Sequence, residues 1–203
     1  MHTKDPQIMH LDKYTKLGVL DSIRNGINKN TIGSDAVTNF YSSLIFRLNT
    51  LTSVSVPVNP KLKPLYNDLQ AQKVLSEMIT YMSIIRANIY TILYTRKYEI
   101  EILMGTAGVY DILNSYEKEF FVKSNGNTLE AYKELKQSKD YKAMQDLLEK
   151  SFSTFKVDSS FTADQWWNVS ENGLDQIALL QNQIWRKALQ DMENIIAKEV
   201  RQK

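Results

Sequence analysis

Arg86 is the residue whose surroundings constrain its chemistry most. It stands in the run Tyr-Met-Ser-Ile-Ile-Arg-Ala-Asn-Ile-Tyr-Thr-Ile-Leu (residues 81–93), where nearly every neighbour is apolar. A guanidinium stays protonated, so burying it requires a counter-charge. That charge is either a carboxylate from another helix or a bound anion, and the planar fork of donors matches a planar oxyanion. Asn88, Tyr90 and Tyr94 follow closely, and Tyr90, one helical turn on, is best placed to add a donor. Arg24, after Ile23, and Arg47, between Phe46 and Leu48, border apolar stripes. Each could join a site shared with Arg86, or could lie at a boundary with its stem packed and its head in water. The candidate ligand-binding set is therefore Arg86, Arg24, Arg47 and Tyr90. A structural ion pair or a snorkelling Arg86 is the competing account.

Other chemistries lack their residues. The only histidines, His2 and His10, have no partner at a metal-binding spacing, and there is no cysteine. Thiolate metal sites, disulfides and cysteine nucleophiles are thus excluded. No phosphate-binding glycine loop and no nucleophile elbow occurs. Glu77, the acid nearest an apolar stripe, reads as a solvated flanking residue. Trp166, Trp167 and Trp185 read as core or inter-helix packing. An enzyme is not expected, nor is any cofactor or metal. The net charge is +2, with basic and acidic residues interspersed as on a solvated helix face, so no nucleic-acid partner is expected.

The elements that must position these side chains are helices. Only 7 Gly and 4 Pro occur in 203 residues, too few for the many tight turns of an all-β chain this long. A first helix is expected over residues 11–28, with Leu17, Leu20, Ile23 and Ile27 at spacings of three and four. A polar turn follows, and Ser34 or Asp35 should cap a second helix striped by Val37, Phe40, Tyr41, Leu44, Ile45, Leu48 and Leu51. Pro57, Pro60 and Pro64 break the chain before a third helix over 64–95, about 50 Å long at the usual rise. A fourth, over 98–123, carries Gly105 and Gly108, suited to close helix contact or a kink. Two short helices should lie near 129–136 and 140–152. A last helix opens with a capping box, Thr162 to Gln165, and runs to the C-terminus over about 60 Å.

Such lengths suit an all-α, elongated helical bundle, and two stacked four-helix layers sharing long helices would accommodate them. A single domain over residues 1–203 is expected. No run of about 18 apolar residues and no signal-peptide core is found. The last helix has no stop signal. Either it continues beyond the chain, for instance into a membrane span, or its basic last turn complements the helix dipole.

Three segments carry a family resemblance: AVTNFYSSLIFRLNTL (36–51), IIRANIYTIL (84–93) and FTADQWWNVSENGLDQIALL (161–180). Together they resemble the nitrate- and nitrite-sensing (NIT) domain, with Tyr41, then Arg86 and Ala87, then Trp166 in the family's order. Ile85 replaces the glutamate that usually precedes that arginine, and the family's N-terminal Arg-Glu-Arg-Gly-like motif is absent. The resemblance implies an all-helical sensory input domain that binds a small anion, nitrate or nitrite, and transmits a helix rearrangement to an output module. Arg86 matches the arginine of the family's Glu-Arg-Ala-like segment. Also implied is a membrane-anchored, homodimeric parent receptor such as a chemoreceptor or histidine kinase, with this part periplasmic or extracellular. The family occurs in cytoplasmic regulators as well. A helical sensor of organic acids, or a structural, partner-binding module, remains the alternative.

Overall fold

A computed structural model describes residues 17–51, 62–97 and 100–201. All regular elements among the described residues are helices, and the chain divides into two compact units, residues 1–53 and 54–203.

In the first unit a 3-10 turn, Leu17–Val19, leads into α1 (Leu20–Asn28), and α2 spans Ser34–Leu51. The expected start of the first helix at residue 11 lies outside the described residues. α1 ends because Asn30 adopts a left-handed conformation (φ 52°), which asparagine tolerates better than most side chains. The Thr31 N–H then reaches back to the Gly26 carbonyl at 2.9 Å. Gly26 leaves room for Ile32: a Cβ there would sit 2.2 Å from Ile32 Cδ1, so a larger residue requires that side chain to move. α2 already includes Ser34 and Asp35, and its first turn is closed by the Val37 N–H on the Gly33 carbonyl (3.2 Å).

The second unit comprises α3 (Lys63–Thr95), α4 (Ile100–Lys123), α5 (Gly126–Gln137), α6 (Lys139–Thr154) and α7 (Ala163–Arg201). Pro64 sits in the first turn of α3, where its missing N–H costs nothing. α3 is the central element. Its buried residues Leu75, Met78, Met82, Ile85, Ile89 and Ile92 alternate at three and four, the stripe that packs one helix along another.

α4 runs antiparallel to α3, with Asn88 Nδ2 donating to Thr106 Oγ1 at 3.2 Å and Tyr81 stacked on Tyr116 at 5.4 Å. α7 also runs antiparallel to α3, fastened by Trp166 on Arg86, Gln181 on Ser76 and Lys187 on Asp68. In this register α7 passes the first residue of α3 at about Met192, so Met192, Ile196 and Val200 remain exposed. α5 seats Tyr132 against Phe120 and Phe121 of α4, with ring centroids 4.8 and 5.7 Å apart.

Capping sets the helix boundaries. Asn125 Oδ1 accepts the Thr128 N–H at 2.9 Å and Ser138 Oγ accepts that of Tyr141 at 3.4 Å. These caps start the two short helices at residues 126 and 139, a little before the hydrophobic pattern begins. The expected capping box of α7 forms in both directions, Gln165 N–H to Thr162 Oγ1 (3.1 Å) and Thr162 N–H to Gln165 Oε1 (2.9 Å).

Of the two roles expected for the glycines of α4, close helix contact is not the one they play. Nothing lies within 4 Å of where a Cβ would stand at Gly105 or Gly108. The close approach is instead at Gly173 of α7, where a Cβ would be 2.7 Å from Met144 Sδ and 3.1 Å from Met144 Cβ. Gly105→Ala and Gly108→Ala should each stabilise the chain by roughly 0.5–1 kcal/mol, because alanine restricts the unfolded backbone without meeting an obstacle. Gly173→Ala should destabilise it, since Met144 is fully buried and its side chain has nowhere to move. Thermal melts of the three variants check this, and a rise in Tm for Gly173→Ala would contradict the packing.

Candidate functional site

The site forms where the start of α7 crosses the later half of α3. The capping box fixes the first turn of α7, and Trp166, one residue beyond it, is fully buried. Its indole Nε1–H donates to the backbone carbonyl of Arg86 at 2.9 Å, which satisfies a buried donor and pins the two helices together. Successive residues on a helix lie about 100° apart, and Trp167, next to the buried Trp166, is half-buried at the edge of the core. Trp167 thereby meets the Arg86 side chain, whose guanidinium carbon lies 4.0 Å from the centre of the indole ring. Cation–π contact of this kind contributes about 0.5–2 kcal/mol, more as water is excluded.

Tyr90, one turn along α3, meets the same indole edge-on at 5.6 Å and stacks on Tyr94 at 5.9 Å. The guanidinium is therefore held on an aromatic shelf shared by both helices. Its Nε is buried without a hydrogen-bond partner, and Arg86 forms no ion pair among the described residues. Burial pushes its pKa down, while Glu171 and Asp175, further along α7, oppose that through longer-range attraction. The arrangement is a partly desolvated cation with one donor edge unsatisfied.

The structure thus brings Arg86 and Tyr90 together on Trp167. Asn88 is committed to Thr106 on α4. Arg24 and Arg47 belong to the first unit. Arg24 is exposed on α1, with a loose contact to Asp21 at 3.8 Å, and Arg47 is half-buried in α2.

Trp166 is core and Trp167 packs between helices, against Arg86 and Tyr90 of α3, within the reading of the tryptophans as core or inter-helix packing. Trp185 is 44% exposed. Glu77 is buried in α3 and not solvated as expected; burial, and after it the Glu77 charge, push the Tyr116 hydroxyl up to about 12.

No helix among the described residues is long and apolar enough to cross a membrane. Neither the curated proteins nor the solved structures contain a match to the chain. A family model described as nitrate and nitrite sensing matches residues 10–193, which is most of the 203. The chain belongs to the nitrate and nitrite sensing (NIT) family of sensor domains.

Proposed function

We propose that the chain is a non-enzymatic sensory input domain that binds nitrate or nitrite beside α3 and α7, with Arg86 as its charge partner. The observation that supports this reading is the buried, unsatisfied Nε of Arg86 on a guanidinium that Trp167 holds in place. An oxyanion accepting from Nε and a terminal nitrogen in one plane would complete the hydrogen bonding and offset the cost of the desolvated charge. Tyr90, whose ring meets the same Trp167 indole, is proposed as a further donor to the anion. Arg24 and Arg47, on α1 and α2, are proposed as further anion-binding residues.

Binding stabilises whichever packing of α7 on α3 presents Arg86 and Trp167 correctly, and only to the extent that the anion prefers it. α7 is the natural carrier of that shift. It begins at the site, is tied to α3 again at Gln181 and Lys187, and runs on past the start of α3. We further propose that residues 1–203 act as one sensor domain of a membrane-anchored, homodimeric receptor, such as a chemoreceptor or histidine kinase, on the outer side of the membrane.

Calorimetric titration of the purified chain with nitrate, nitrite and chloride tests the reading. Saturable binding of nitrate or nitrite with a dissociation constant below about 1 mM is expected, which corresponds to about −4 kcal/mol or better. Chloride, which has no planar acceptor edge, should bind more weakly. Absence of heat with all three anions, or equal affinity for chloride, would remove the proposal.

A further inference from the structure

We infer that the second unit holds a separate site for a small amphipathic carboxylate, at the end where α3 gives way to α4 and α6 to α7. A cavity of about 320 Å³ opens there, lined by Ile92, Ile100, Leu103, Phe155, Lys156 and Val157 together with Ser159. That volume is at the lower end of what small-molecule sites use. Its floor is apolar and buried, since Ile92, Leu103 and Val157 are each less than a tenth exposed. Its rim carries two large apolar side chains, Ile100 and Phe155, both 49% exposed. A ligand with an apolar tail would remove this surface from water, at about 25 cal/mol per Å².

Phe155 marks the mouth. It is the C-cap residue of α6 and adopts a left-handed conformation, φ 48° and ψ 39°, with its N–H bonded to the Ser151 carbonyl. Glycine or asparagine could cap the helix in that conformation with less strain. The phenylalanine instead places a ring beside the opening, where an apolar ligand would find it.

Charge selects the headgroup. Two lysines flank this turn, but Lys150 is taken by Asp158 at 2.7 Å. Asp158 also accepts from the Ser160 N–H and hydroxyl at 3.0 and 2.6 Å, so its charge is fully engaged. Lys156 makes no ion pair among the described residues. An apolar floor with one uncompensated cation at the mouth suits a monocarboxylate carrying a short aliphatic or aromatic tail. This site is distinct from that of Arg86, since Ile92 lies six residues further along α3, about 9 Å at the helical rise.

Hexanoate is a suitable probe, titrated into the full chain by calorimetry in buffer free of nitrate and nitrite. Saturable binding in the millimolar range or tighter is expected, at least about tenfold stronger than for hexanol, whose tail is the same but uncharged. Lys156→Met should weaken hexanoate by a similar factor of about ten, and Ile100→Trp, which crowds the mouth, should abolish binding. Both positions are solvent-exposed, so the variants should melt like the wild type. Arg86→Met should leave hexanoate binding intact, which separates this result from any result at the nitrate site. No saturation up to about 50 mM, which limits binding to under about 2 kcal/mol, overturns the inference. So does hexanoate binding that neither Lys156→Met nor Ile100→Trp diminishes.

Discussion

Arg86→Met is expected to abolish nitrate and nitrite binding while leaving the unliganded protein about as stable as the wild type. Hydrogen bonds to a charged donor contribute about 1.5–3 kcal/mol each, so losing a bidentate pair should weaken binding by about a hundredfold or more. Methionine keeps the apolar stem against Trp167 but removes a guanidinium whose Nε is buried and unsatisfied. The lost cation–π contact and the relieved desolvation are both about 1 kcal/mol and oppose each other. A near-zero change in Tm is therefore the prediction.

The ion-pair account makes the opposite forecast for the same variant. If a carboxylate balanced Arg86 in the interior, its removal would strand that acid at a cost of about 3–5 kcal/mol. The nearby acids, Glu171 and Asp175, are exposed on α7 and attract Arg86 only at longer range. Melting curves and calorimetry on one pair of proteins decide between the accounts. A large fall in Tm, with nitrate affinity unchanged, would make Arg86 a structural residue.

Asp68→Ala should cause the largest loss of stability of any polar substitution considered for this chain. The Asp68 side chain is fully buried near the start of α3 and gathers donors from two other elements. Asn125 Nδ2 and Thr128 Oγ1, at the start of α5, donate to Oδ1, the latter at 3.4 Å. Lys187 of α7 donates to Oδ2 at 2.6 Å. The same contact is the first cause of the raised Lys187 pKa.

Removing the carboxylate leaves the amide and hydroxyl without their acceptor, whereas the Lys187 head, 41% exposed, can regain water. The full penalty for breaking a buried pair is discounted accordingly, to about 2–4 kcal/mol. That corresponds to a fall in Tm of very roughly 5–15 °C for a chain of this size. Asp68→Asn, which keeps an acceptor for Asn125 and Thr128, should lose less. If Asp68→Ala melts within about 2 °C of the wild type, the cluster does not hold α7 in register. Because the same cluster anchors α7 far from Arg86, the Ala variant should also loosen any coupling between the site and the end of that helix.

The helices themselves were legible in the sequence because their signals are local. Spacings of three and four at Leu17, Leu20, Ile23 and Ile27, proline in the first turn of α3 and the Thr162–Gln165 box are all encoded within a few residues. Arg86 was legible for a related reason: a side chain that cannot shed its charge must find a partner when its neighbours are apolar. What only the tertiary structure decided is which face meets which neighbour. A helical pattern gives relative angles between residues, but the register of α7 on α3 is fixed by contacts far apart in the chain.

That register sends Trp166 inward and leaves Trp167 under the guanidinium. It also makes Gly173, and not Gly105 or Gly108, the point of close approach. Asp68 and Glu77 look like ordinary surface acids in sequence, and both are buried because α3 is enclosed by its neighbours. Burial of a polar residue depends on what surrounds the helix, and no spacing within the helix records that.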